Sequence, residues 1–338
     1  MNTPPPIASS DETGSLGILH LKRYWSIKLT NRLQPASVEP SHDWVKDNTL
    51  LGGIRLNLRE AAQYIYDQLP SFEQFEQWVL AMNGGAIEQK KIDRLNTALS
   101  GTLQPEPLDP KDEVFSPEEM ASWHENGYIV LHNAVPAENC AAAVDAICQF
   151  LKMDLNRPDT WYGGAQGHSI WIPLLHHPAI EANRDSVRIH HAFAQIWNRT
   201  DLWDLIDQAG MNPPERAGWQ FPGPHLHWDT SLHLPIPFGV QGILYLADTA
   251  ADQGAFTCVP GFHRKIEDWL KNLPPGRDPR KEDLKAFGPT PIAGKAGDLI
   301  IWNHALPHGS SPNRAKLPRL VQYITMRPST WGHNPVWC

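Results

Sequence analysis

The sequence predicts an α+β protein, helical over its first hundred residues and built of short β runs from Trp219 onward. Three observations predict it. Apolar residues recur at helical spacing between Leu58 and Leu99. Beyond Trp219 the apolar runs shorten and are separated by turn signals, as in an all-β barrel or sandwich. Finally, His227-Trp228-Asp229 is answered far along the chain by His308 and then by Arg319.

Residues 1–15 are polar and proline-rich and read as a disordered tail; they contain neither the basic cluster nor the apolar core of a signal peptide. Residues 16–100 read as a helical region. Leu58, Ala62, Ile65 and Leu69 share one helical face, and Pro70 ends that helix. Ser71 and Gln74 form a capping box for a second helix with a Phe72, Phe75, Trp78, Met82 stripe, which Gly84-Gly85 stops. Ile92, Leu95 and Leu99 mark a third. Three short helices have a marginal core of their own, so a packing partner is expected: the β domain, a second copy of the chain (a homodimer) or a carrier domain. Residues 101–115 are acidic and proline-rich, a linker.

The second domain spans residues 116–338. Ser116 as cap, Pro117 in the first turn and Glu119 in the third position open a helix. Gly127 to Leu131 reads as a strand, and Cys140, Val144, Ile147 and Leu151 as a helix outside a sheet. The β runs Gly239 to Ala247, Phe256 to Val259, Gly297 to Trp302 and Arg319 to Met326 follow. The charged, proline-rich stretch from Lys265 to Pro291 reads as a surface excursion or an active-site lid.

Composition narrows the function. Lys and Arg total 29 against 37 Asp and Glu, for a net charge of −8 and no basic run, which excludes a nucleic-acid reader. The four cysteines form no CxxC pair, consistent with a reducing cytoplasmic setting. No apolar run approaches the ~18 residues of a membrane span. The acidity and the 14 tryptophans, with Trp161, Trp171, Trp219 and Trp228 expected near the mouth of a pocket, suit a small-molecule substrate with apolar surface.

Two imidazoles and a carboxylate with open coordination positions form the ligand set of non-haem Fe(II) oxygenases. His227 and Asp229, two apart on a strand, project to one face. His308 follows a buried apolar strand, and Arg319 sits where a hairpin would return its guanidinium to grip a carboxylate. Arg314 is its rival, but lies beside Lys316 and the Pro312-Asn313 turn, where exposure is expected. Two readings stand for Gln220, seven residues before His227: a hydrogen bond to a cosubstrate, or a satisfied buried amide. His225 is read as a neighbour of the site, His263 as structural, and His304 as lying outside the ligand set.

These motifs resemble the phytanoyl-CoA dioxygenase family of Fe(II)- and 2-oxoglutarate-dependent oxygenases. The likeness is carried by HWD at 227–229, DQGAFTCVPGFH at 252–263, GDLIIWNHALPHGSSPN at 297–313, and Arg319 eleven residues after His308. It runs from about Ser116 to Pro328. It implies a double-stranded β-helix (jelly roll, cupin-like) core with flanking helices and an N-terminal helical extension. It also implies that His227, Asp229 and His308 bind Fe(II), that Arg319 and Ser310 hold the far carboxylate of 2-oxoglutarate, and that O2 is consumed in oxidising a C–H bond. Asp229 fills the position that related halogenases leave empty. Two alternatives are weighed against this: a cupin-like metalloenzyme without 2-oxoglutarate, which would have no task for Arg319 and Ser310, and a non-catalytic jelly-roll binding protein, whose triad should be broken.

Overall fold

The computed structural model describes residues 4–35 and 43–337. Met1–Thr3 of the expected tail, residues 36–42 of the helical region, and Cys338 lie outside them. The chain forms two compact units. Among the described residues, one comprises 4–35, 43–107, 199–206 and 326–333; the other comprises 108–198, 207–325 and 334–337. Among the described residues no helix is long and apolar enough to cross a membrane.

The first unit holds helices Leu21–Leu33, Trp44–Gly53, Leu58–Gln68, Phe72–Met82 and Gln89–Leu99. The Ser71/Gln74 capping box is present. The stripes pack on one another and on a strand from beyond residue 116. Ile65, Phe75, Val79, Ile92 and Leu95 close one core with Leu21, Tyr24, Leu50 and Ile54 from the first two helices, and Trp203 joins it. Trp203 belongs to Leu202–Leu205, which pairs with Thr325–Pro328. The expected disordered tail is corrected from Pro4 onward. Ala8 is buried and donates its N–H to Ser26 Oγ at 3.0 Å. The buried Glu76 carboxylate accepts from the N–H groups of Ser15 and Leu16 at 3.1 and 2.9 Å. A buried carboxylate must collect donors, and those donors lie some sixty residues away in sequence, beyond any local signal.

The second unit is mixed helix and sheet, with antiparallel pairing in both its sheets. Six strands run in the order Tyr128–Leu131, Leu299–Asn303, Val240–Tyr245, Arg319–Tyr323, Ala209–Asn212 and Trp171–Ile172. The second sheet orders Thr290–Pro291, Phe256–Cys258 and His308–Ser310. The apolar, β-branched central strands pair Gln241 with Trp302, Ile243 with Ile300 and Tyr323 with Ile243. Opposed residues of antiparallel strands share a face, so Gln241, Ile243, Trp302, Tyr323 and Arg319 all lie on one side. That side packs against Phe256 and Cys258 of the smaller sheet, and the core of the unit sits between the two.

The other face is covered by helices Pro178–Arg184 and Val187–Trp197. Gln322, buried there, is satisfied by Asn183 and by the carbonyl of Ile180. Gly242 allows the close approach: a Cβ would fall 2.6 Å from the carbonyl oxygen of Ile324 and 3.1 Å from the ring of Phe193. The Ser116/Glu119 capping box is formed. The expected single run Arg319 to Met326 breaks at Ile324. The Lys265 to Pro291 stretch is no free excursion, because it carries helix Ile266–Lys271 and buries Ile266 and Leu284.

Candidate active site

His227 and His308 come together through one isolated antiparallel bridge. The expected strand for His227 and Asp229 is not formed: His227 holds only that bridge, and Asp229 sits in a bend. The shared face results all the same. The ligand-type atoms of His227, Asp229 and His308 lie within 4.8 Å of one another. His227 Nε2 is 3.2 Å from Asp229 Oδ1, and His308 Nε2 is 3.3 Å from Oδ2.

Both ring tautomers are set by the main chain. His227 Nδ1 lies 2.7 Å from the His225 carbonyl oxygen, and His308 Nδ1 lies 3.0 Å from that of Leu306. A carbonyl only accepts, so each Nδ1 carries a proton; each Nε2 faces the Asp229 carboxylate, donating to it while protonated and offering a lone pair to a metal once that proton leaves. Gln241 Nε2 donates to Asp229 Oδ2 at 2.9 Å. Burial opposes ionisation of Asp229, but hydrogen bonds from the two histidines and then their charges hold its carboxyl well below the usual carboxylate range. Burial also works against protonation of His227; the hydrogen bond and charge of Asp229 outweigh it and raise the imidazole above its ordinary 6.5. Trp302 and Phe256 wall His308, with ring centroids 5.1 and 6.3 Å from its own.

Arg319 is fully buried. Its Nη1 donates to Gly254 O at 3.0 Å and to Ser310 Oγ at 2.8 Å. Its Nε and Nη2 have no hydrogen-bond partner, and no carboxylate pairs with it among the described residues. Those two nitrogens form the side-on fork that matches a carboxylate. A buried cation with an empty fork is costly unless an anion completes it. Burial pushes the neighbouring Tyr323 phenol up, with the charge of Arg319 and then hydrogen bonding toward Arg319 and Ser310 acting the other way.

A cavity of about 220 Å³ adjoins these groups, lined by His227, Asp229, His308, Ser310 and Tyr323 together with Trp171, Gln208, Gln241, Ile243, Phe256 and Trp302. Of the residues expected to hold metal or cosubstrate, Gln220 is the one that lies away from the cavity. It is exposed, donates to the Arg216 carbonyl of its own turn at 3.3 Å, and does not line the cavity. Trp161, Trp219 and Trp228 are buried elsewhere, and only Trp171 of the four tryptophans reaches the cavity. His225 is turned onto Phe221, His263 meets the His124 carbonyl, and Arg314 is exposed. Sequence reasoning missed Gln241 and Tyr323. Their one signal was a polar residue interrupting an apolar strand.

Two imidazoles and a carboxylate that converge with open positions are the ligand pattern of non-haem Fe(II) oxygenases. The chain belongs to the phytanoyl-CoA dioxygenase (PhyH) family, whose model matches residues 123–321, and it is an Fe(II)- and 2-oxoglutarate-dependent dioxygenase using O2. Among curated relatives it is similar to a putative phytanoyl-CoA dioxygenase of Dictyostelium discoideum, 27% identical over 255 residues, covering 60% of this chain and 73% of that protein. It is also similar to the ectoine dioxygenase of Bordetella bronchiseptica, 22% identical over 258 residues, covering 66% of this chain and 81% of that one. A solved structure of the epimerase SnoN in complex with Fe3+, alpha ketoglutarate and nogalamycin RO aligns with a TM-score of 0.48 at 17% identity, covering 64% of this chain and 85% of that one.

Proposed function

We propose that this cavity hydroxylates an unactivated C–H bond of a small organic substrate, with His227, Asp229 and His308 holding one Fe(II) and Arg319 with Ser310 holding the distal carboxylate of 2-oxoglutarate. The observation that carries the reading is the empty Nε and Nη2 fork of fully buried Arg319. A cupin-like enzyme without 2-oxoglutarate leaves that fork unexplained. The two antiparallel sheets enclosing the core are, on this reading, the two faces of a double-stranded β-helix.

When bound, iron would activate O2 as the oxidant, with 2-oxoglutarate oxidised to succinate and CO2 by one oxygen atom and the other passing to the substrate. The chain's own residues do the positioning. The carbonyls of His225 and Leu306 keep both Nε2 lone pairs available, Gln241 steadies Asp229, and Ser310 shares the cosubstrate carboxylate with Arg319. Phe256 and Trp302 keep water from the His308 side. Trp171 and Ile243 offer apolar contact, with Gln208 as a polar anchor, which suits a substrate with an apolar body such as a natural-product intermediate or lipid-like acid. Asp229 in the carboxylate position favours hydroxylation over halogenation. The test is succinate release from 2-oxoglutarate by Fe(II)-supplied protein, with candidate substrates under air. Release that His308→Ala leaves unchanged would overturn the assignment.

A further inference from the structure

Asp229 stands on a stretch of main chain that no strand holds. The carbonyls of Trp228 and Thr230, one on each side of it, find no main-chain N–H among the described residues. Both are taken by a single side chain from the long insertion. Arg280 donates from Nη1 to Trp228 O at 2.9 Å and from Nη2 to Thr230 O at 2.6 Å. A planar guanidinium whose two donors span the carbonyls before and after a residue fixes both peptide planes. It thereby fixes the direction in which that residue's Cα–Cβ bond leaves the chain.

The clamp is itself held. The ring of Trp337 lies over the Arg280 guanidinium at 4.6 Å. The C-terminal segment carrying Trp337 is tied back to the same stretch: Ser231 Oγ donates to the Val336 carbonyl, and Asn334 Nδ2 donates to the His233 carbonyl at 3.1 Å. From the insertion side, Trp269 packs on Trp228 with centroids 5.8 Å apart, while the Trp228 indole donates to Ala305 O at 3.0 Å. Gln241 holds the carboxylate of Asp229 by its Oδ2; Arg280 holds the backbone beneath it.

We propose that Arg280 is a positioning residue for Asp229, through which the insertion and the C-terminal segment set the geometry of the metal site. The inference rests on His227, Asp229 and His308 being that site. The clamp does for Asp229 what the reciprocal bridge does for His227 and His308. Without it the carboxylate keeps its chemistry and loses its aim.

The experiment uses the full chain and Co(II) alone, read by calorimetry and by the visible absorption of the bound ion. Arg280→Met should bind Co(II) about 10–100-fold more weakly, the range for losing a partner that orients a ligand, and should show an altered band at saturation. Arg280→Lys, which keeps charge but not the fork, should fall between. Arg277→Gln, on the same insertion and paired with Glu282, should match the wild type. Wild-type affinity and spectrum in Arg280→Met would overturn the inference and leave the metal site standing. A wild-type protein that takes up no Co(II) would overturn both. Should Arg280→Met not fold, Arg280→Lys with wild-type affinity and spectrum would overturn the inference alone.

Discussion

His227 and His308 face each other across a single reciprocal bridge, each N–H donating to the other's carbonyl at 2.9 and 3.0 Å, with ring centroids 4.7 Å apart. His308 is also held in the smaller sheet, where it pairs with Cys258; His227 belongs to no strand, so it depends on this bridge and on the carbonyl that orients its ring. Replacing either histidine, or Asp229, by Ala removes one of three converging donors. Each variant should lose Fe(II) binding and 2-oxoglutarate turnover, while Gln220→Ala keeps both. Titration calorimetry and succinate assays check this; full activity in His308→Ala would sink it.

Arg319 offers a fork, and Lys cannot reproduce one. Arg319→Lys should bind 2-oxoglutarate markedly more weakly with Mn(II) at the site, and Arg319→Ala should lose roughly 2–5 kcal/mol, the cost of leaving a buried charge unpaired. An unchanged titration in Arg319→Ala would shift the role to Arg314 or dismiss it.

In chloride buffer the wild-type protein should give hydroxylated product and no chlorinated one, because Asp229 occupies the position a halide would need. Mass spectrometry of the products decides this, and a chlorinated product would overturn it.

Acid should destabilise the fold through His263. Burial holds this imidazole below its ordinary 6.5, with the His124 carbonyl pulling weakly the other way. The ring is wedged against Gly127, whose φ of +76° and lack of a Cβ make the room. A folded pKa below the unfolded one means that the stability is full above 6.5 and is lost as pH falls through the window beneath it. Tm measured from about pH 8 to about pH 5 should therefore drop on the acid side. His263→Gln, whose amide can still donate to His124, should flatten that drop. Equal slopes for the two proteins would refute the account.

Removal of residues 1–113 should give a chain that expresses poorly or precipitates. Trp203, buried in the core of the first unit with Leu50, Leu95 and their neighbours, would lose its packing partners. A monomeric, fully active protein beginning at Val114 would count against it.

Much of the site was legible because its chemistry is written in residue type and short spacing. His227 and Asp229, two apart, Ser310 two after His308, and Arg319 eleven after it are readable without coordinates. So were the Ser71 and Ser116 caps, since a capping box closes within one helical turn. The spacing of His227 and Asp229 brought them to one face even though no strand formed there.

What tertiary structure decided lies at long range. Gln241 reaches Asp229 through strand register, and a one-residue slip would turn it to the helix-covered face. Arg280 meets the carbonyls around Asp229 only because the insertion folds back on Trp228. Gln220 had a plausible spacing and is turned to solvent, and Ser15, at the end of the expected disordered tail, is held by Glu76. The sequence alone determined the family, the candidate metal-ligand types and the local starts and stops of helices, because those follow from side-chain chemistry and turn-length geometry. Which polar groups are buried, and which find a partner, depends on the packing of segments far apart in the chain, and no local pattern carries that information.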